Sequence, residues 1–330
     1  MVTRYPVDHG SLSPQDHMTL KVLRLYYDHG LTQAEIGARM GFSRPKVSKL
    51  IATGERRGLV KIEIAEPAGS FASLEIALED RYGLNEVLVA TTSDDQRSTE
   101  LSVGGVAAAF LRQVCHPGSA LGLSWGTTVR ALVEATPERS LRCHKVVPLV
   151  GGIGKADTGL HSNRTCLTLA EKIGAEAMQI DAPAIAHSGR SRDELMNTPG
   201  IEDTLKEATA CDVAVVGIGG ILPTSTLIQA GFFTSEEFLG LADQGAVGDV
   251  CFHFLDCAGN PCLQESSRKV VGITLEQLKT IPETIGVATG AGKAPGVAAA
   301  LRGGYLNTLV CDQALAETLL GDQRNAENPV

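Results

Sequence analysis

The chain has 330 residues, 43 % of them hydrophobic, and a formal net charge of -9 at pH 7. That length suits two globular domains, at roughly one per 150 residues. The longest apolar stretches, such as VAVVGIGGIL at 213–222, fall short of the ~20 residues a membrane helix needs, and MVTRYPVDHG at the start has no apolar targeting core, so a cytoplasmic protein outside the membrane is expected.

The charge is unevenly placed. Residues 1–66 hold ten Lys/Arg against seven Asp/Glu, while residues 67–330 carry a net -12. Between 32 and 61, seven Lys/Arg stand against Glu35 and Glu55 alone. A small basic head on an acidic body predicts a head that meets a polyanion and a body that does not.

Residues 16–30 (DHMTLKVLRLYYDHG) predict a supporting helix that ends at Gly30. Thr32 and Glu35 have the spacing of a capping box, and Ile36 with Met40 gives the helix that follows one apolar face. Gly41 suits the positive φ of a tight turn, Ser43 suits an N-cap, and Pro45 is tolerated in a first helical turn. A second helix over about 44–57 then buries Val47, Leu50 and Ile51 and leaves Arg44, Lys46, Ser48 and Lys49 on its other faces. Two short helices joined by a glycine turn, the second basic at its start, form the helix-turn-helix pattern. GLVKIEI at 58–64 alternates apolar and polar residues as a short strand does, which would make a wing. A solvated helical hairpin, or a helix-turn-helix used only for protein contacts, are the alternatives.

EPAGSFASLE at 66–75 carries a Pro-Gly-Ser break, so the domain boundary is placed at 66/67. A connecting helix follows over 73–84. Apolar runs at 86–90, 120–125, 145–152, 213–219, 285–290 and 307–312 then alternate with helical segments. This pattern predicts a mostly parallel sheet covered on both faces. Ligands of such sheets bind where loops leave the carboxyl ends of strands. Here those loops are SWGTT (124–128), VGGIG (150–154), GIGG (217–220) and TGAGK (289–293), whose glycines, threonines and Lys293 suit an anionic small molecule. None is a nucleotide signature, because Ala294 stands where a P-loop has Ser or Thr and GIGGIL does not continue as G-x-G-x-x-G. No cofactor is expected.

Asp249, His253 and Asp256 lie beside apolar residues in AVGDVCFHFLDCAGN (246–260). A buried carboxylate needs a partner, so Asp249 either caps a turn or meets a ligand hydroxyl or cation. The eight cysteines form no C-x-x-C pair and predict buried thiols; the His253, Cys257 and Cys262 spacing fits no zinc pattern.

Residues 26–64 (YYDHGLTQAEIGARMGFSRPKVSKLIATGERRGLVKIEI) resemble the N-terminal domain of the SorC family of sugar-responsive bacterial transcription regulators, and the remainder resembles that family's effector domain. The resemblance implies a helix-turn-helix domain over 1–66 and, over 67–330, a Rossmann-like effector and oligomerisation domain of the sugar-isomerase and glucosamine-phosphate-deaminase type. It implies a pocket lined by Gly126, Thr127, Thr128, Gly217, Ile218, Gly219, Asp249 and Lys293, with Asn163 added from SNR at 162–164. The partners it implies are double-stranded operator DNA, a sugar, polyol or sugar-phosphate effector, and further copies of the chain in a homodimer or homotetramer. Many members carry Arg where this chain has His253, and Val150 stands where some carry a lysine able to form a Schiff base. The rival reading is an active sugar-phosphate isomerase or deaminase, but the Asp-Gly-His run of such deaminases is missing and an isomerase has no use for a basic head.

Overall fold

A computed structural model of the chain describes residues 13–60, 67, 69–152 and 162–321. The predicted wing beyond Val60, and Ile153 and Gly154 of the third-strand loop, lie outside them. The chain divides into two compact units, Met1–Glu66 and Pro67–Val330. Among the described residues no helix is long and apolar enough to cross a membrane.

The first unit is built on helices α1 (Pro14–Leu23), α2 (Gln33–Met40) and α3 (Arg44–Arg56). The capping box forms: Glu35 N–H donates to Thr32 Oγ1 at 3.3 Å and Thr32 N–H to Glu35 Oε2 at 2.8 Å. Gly41 ends α2 with φ 69°, and Pro45 lies in the first turn of α3. Ser43 occupies the N-cap position with extended backbone but makes no capping side-chain bond. Val22, Leu23, Leu25, Ile36, Val47, Leu50 and Ile51 form one core. The supporting helix differs from expectation in its second half, where Arg24–Asp28 widens into a π-helical turn before Gly30.

The second unit opens with α4 (Ala72–Tyr82), stopped by Gly83 at φ 68°. The chain continues through β1 (Glu86–Ala90), α5 (Gln96–Val114), β2 (Ser119–Leu123), α6 (Thr127–Ala135), β3 (Cys143–Pro148), α7 (Ser162–Ile173) and β4 (Glu176–Ala177). Helices α8 (Gly189–Met196) and α9 (Pro199–Thr209) lead to β5 (Val213–Gly220), and the short helices α10 (Thr226–Gln229) and α11 (Ser235–Leu239) follow it. A hairpin, β6 (Gly248–Val250) and β7 (His253–Leu255), comes next, then α12 (Gln264–Ser267) and α13 (Leu275–Leu278). The unit closes with β8 (Glu283–Ala288), α14 (Ala294–Arg302), β9 (Thr308–Asp312) and α15 (Gln313–Gly321).

The main strands are parallel, in the order β1-β9-β8-β5-β2-β3-β4. Strands β2, β5, β8 and β9 are buried almost throughout, as near-continuous apolar runs require when both faces are covered. After β2 the chain winds outward through β3 and β4, then returns to place β5 on the other side of β2. The strand order therefore reverses between β2 and β5, which is where such sheets bind ligands.

The β6/β7 hairpin departs from the parallel plan. β6 pairs antiparallel with the end of β5, in the register Ile218 to Val250, Gly219 to Asp249 and Gly220 to Gly248. Its turn residues Cys251 and Phe252 both have positive φ, 50° and 66°. Phe252 stacks on Trp125, with ring centroids 5.0 Å apart and planes 13° apart, and packs edge-on against Phe232. These ring contacts and the burial of Phe252 support a turn that would otherwise favour Asn or Gly.

Candidate functional site

On α3 the buried residues Val47, Leu50, Ile51 and Gly54 face the core of the first unit. Arg44, Lys46, Ser48 and Lys49 are exposed. Lys46 Nζ lies 4.0 Å from the centroid of the Phe42 ring, in the turn before α3. Among the described residues Arg44 and Lys49 have no carboxylate partner, so their charges are open to a polyanion.

In the second unit a cavity of about 530 Å³ opens at the strand reversal. Gly126, Thr127 and Thr128 line it from the start of α6, Gly217, Ile218 and Gly219 from β5, Asp249 from β6, and Lys293 from the turn before α14. Eight of the nine predicted effector residues therefore converge on one space. Ser124 ties its first two walls together, its Oγ accepting the Gly217 N–H at 2.9 Å. The first bonded N–H of α6 is Arg130, to Gly126 O, and no side chain caps the helix, so the donors of its first turn are open.

Asp249 is only 6 % exposed, and its Oδ2 accepts the Phe252 N–H at 3.3 Å. It both fastens the hairpin turn and lines the cavity. Burial pushes its pKa up to about 6, while the Phe252 hydrogen bond and the Lys293 charge work in the opposite direction. Lys293 is pulled down by burial, against the fields of Glu100, Asp249 and Asp312. The two groups make no salt bridge with each other, so each keeps bonding capacity for a third party.

Asn163 is the exception among the predicted residues. It does not line the cavity: its Nδ2 donates to Ile180 O and its Oδ1 accepts the Ile180 N–H, both at 3.0 Å, which fixes α7 to the segment after β4. His253 also stands elsewhere. It is buried on β7, its Nε2 bonds to Ile273 O at 3.1 Å, and burial lowers its pKa. Six of the eight cysteines are buried, Cys262 is half-buried and Cys257 is exposed. Among the described residues no three His, Cys, Asp or Glu side chains are grouped to hold a metal ion.

Trp125 and Thr289 line the cavity from the SWGTT and TGAGK loops, while other cavity residues carried no sequence signal: Gln96 and Glu100 on α5, Leu222, Ser225 and Gln229. Gln96 and Glu100 share one helix face at a spacing of four, but that pattern belongs equally to any solvated helix. Asp312, fully buried, accepts the Gly290 N–H at 2.7 Å and the Thr92 hydroxyl at 2.8 Å, which holds the loop that presents Lys293.

A helix-turn-helix with a basic outer face, and an α/β unit with a polar cavity at its strand reversal, define a DNA-binding regulator controlled by a small molecule. Residues 66–321 match the family model "Putative sugar-binding domain" and residues 12–69 match the "MarR family" model. The chain is 32% identical over 306 residues to the sorbitol operon regulator of Klebsiella pneumoniae, covering 92% of this chain and 97% of that one. It is 27% identical to the deoxyribonucleoside regulator of Bacillus subtilis (93% and 98% covered) and 32% identical to the transcriptional regulator LsrR of Enterobacter sp. (93% of each). The crystal structure of full-length SorC from Klebsiella pneumoniae superposes with a TM-score of 0.73 at 31% identity, covering 92% of this chain and 98% of that one.

The chain belongs to the SorC family of sugar-responsive transcription regulators. It is a regulator rather than a sugar-phosphate isomerase or deaminase.

Proposed function

We propose that the cavity between β2 and β5 is the effector site, and that its ligand is a sugar, a polyol or a phosphate of one of these. One observation carries this reading: a buried carboxylate and an ammonium, unpaired with each other, face the same cavity beside an open helix N-terminus. Its volume lies within the roughly 300–1,000 Å³ of small-ligand sites. Asp249 accepts hydrogen bonds from ligand hydroxyls, while Lys293 and the first N–H groups of α6 suit an anionic end. Thr127, Thr128 and the strand 217–219 complete the cradle. The sorbitol and deoxyribonucleoside regulators among the relatives support ligands of this class.

In the same reading the 1–66 domain binds operator DNA with α3 in the major groove, and the 67–330 domain binds effector and self-associates. One helix-turn-helix reads only a short half-site, so a cytoplasmic homodimer or homotetramer is the working form. The ligand controls DNA affinity by binding two conformations unequally.

A thermal-shift screen of sugars, polyols and their phosphates tests the site, because a ligand of the folded state raises apparent stability. A hit should bind Lys293→Ala roughly ten- to a hundred-fold more weakly, the loss of one or two charged hydrogen bonds. A hit whose affinity that variant leaves unchanged would reject the assignment. Light scattering should return a multiple of the 34.7 kDa chain mass, and a monomer with and without DNA would reject the oligomer.

A further inference from the structure

The cavity contains a third charged group, to which the effector reading gives no role. Glu100 of α5 lines it and is only 6 % exposed. Burying a carboxylate is costly unless it is paired or hydrogen-bonded. Glu100 is only partly compensated: Oε1 accepts Gln96 Nε2 at 3.1 Å, and Oε2 lies 3.7 Å from Arg97 Nη1. The same Gln96 amide donates to Thr289 Oγ1 at 3.1 Å, which fastens α5 to the end of β8 and holds the Glu100 carboxylate against the cavity wall. An ionised carboxylate offers about four acceptor positions. Gln96 takes one, which leaves Glu100 able to accept from a ligand.

The lining thus carries two carboxylates, Glu100 and Asp249, against the single ammonium of Lys293. Asp312 does not add an acceptor to the cavity, because it is fully buried behind the wall and does not line it. After burial, which lowers the Lys293 pKa, the Glu100 field is the first influence on that ammonium, ahead of Asp249. That ammonium therefore already sits in the field of both carboxylates. An anionic group is still welcome at the open first turn of α6, but a second one would meet carboxylates across a cavity of low dielectric.

We propose that Glu100 sets effector specificity: its carboxylate accepts hydrogen bonds from ligand hydroxyls and bars a second phosphate, so the effector is a sugar or polyol with at most one phosphate. This inference rests on the reading of the cavity as the effector site, and the experiment separates the two.

The full-length chain, Glu100→Gln and Asp249→Asn are titrated calorimetrically with pentoses, hexoses, pentitols and hexitols, each as the neutral compound, the terminal monophosphate and the bisphosphate. The best wild-type ligand should be neutral or singly phosphorylated, with its bisphosphate bound at least a hundred-fold more weakly. Glu100→Gln should weaken the best ligand about ten-fold and narrow the gap to the bisphosphate at least ten-fold, a change of charge selectivity that a structural role would not produce. A bisphosphate as the best wild-type ligand would overturn the inference whether or not the variant folds. So would unchanged affinities in Glu100→Gln together with a loss in Asp249→Asn, a combination that leaves the cavity reading intact. If no compound binds the wild type, or if both variants bind as it does, the cavity reading fails and this inference fails with it.

Discussion

Gly219 of β5 and Asp249 of β6 stand opposite each other in the antiparallel pair, and a Cβ built on Gly219 would overlap the Asp249 carboxylate. The missing side chain is what lets a charged group lie flat against the strand and reach the cavity. Strand β5 therefore contributes to the site mainly through the space it leaves.

Gly219→Ala is expected to push the carboxylate out of position. Overpacking of this kind costs roughly 1–3 kcal/mol of stability, and the displaced acceptor should weaken effector binding at least about ten-fold. Calorimetry with the effector from the screen, alongside urea melts, checks both. Wild-type affinity in a folded Gly219→Ala protein would show that Asp249 does not touch the ligand.

The raised pKa of Asp249 gives the apo protein a defined pH response. Its folded value of about 6 lies above its ordinary 3.8, chiefly through burial, so between these two values the folded state holds the proton more tightly than the unfolded chain. Stability contributed by this group therefore falls as pH rises through that window and stays low above it. At 1.36 kcal/mol per pH unit the cost at neutral pH is on the order of 3 kcal/mol. Asp249→Asn keeps an acceptor for the Phe252 N–H but has no charge to bury. The variant should match the wild type near the lower end of the window and be more stable at pH 7, in urea denaturation followed across pH. A variant less stable than the wild type at pH 7 would point to a structural ion pair with Lys293.

How much of this was legible in the sequence depended on how local the determining physics is. The capping box at Thr32 and Glu35, the Gly41 turn and the position at which α3 starts lie within a few residues of one another and form as read, although Ser43 makes no capping bond. The parallel strands were legible because burial on both faces demands continuous apolar runs. The β6/β7 hairpin was not: Cys251 and Phe252 carry no Asn-Gly signal, and their positive φ values accompany the stacking of Phe252 on Trp125, which is distant in sequence. Where the Asn163 side chain bonds was not legible for the same reason, since its pairing with Ile180 appears only once α7 is packed. Glu100 and Gln96 were missed because nothing local separates a cavity-facing Glu from a solvated one.

The outer face of α3 makes the remaining prediction. Arg44, Lys46 and Lys49 are exposed there, and removing a side chain that neutralises one phosphate should reduce the slope of log affinity against log salt by about 1. Lys46 differs from the other two, because its ammonium lies over the Phe42 ring and must leave that ring to reach a phosphate. Arg44→Ala and Lys49→Ala are therefore expected to weaken operator binding more than Lys46→Ala, and the triple variant to lower the salt slope by roughly 2–3. An Arg44 hydrogen bond to a guanine edge would be distinguished by a loss of about 1–3 kcal/mol that depends on operator sequence as well as on salt. Fluorescence anisotropy with operator and scrambled duplexes from 50 to 200 mM salt, a range over which a protein neutralising ~6–10 phosphates changes affinity by orders of magnitude, reads both effects. All three residues are exposed and none belongs to the core that holds Val47, Leu50 and Ile51, so the variants should melt with the wild type. A triple variant that melts normally and still binds operator with wild-type affinity and salt slope would remove α3 from the DNA interface.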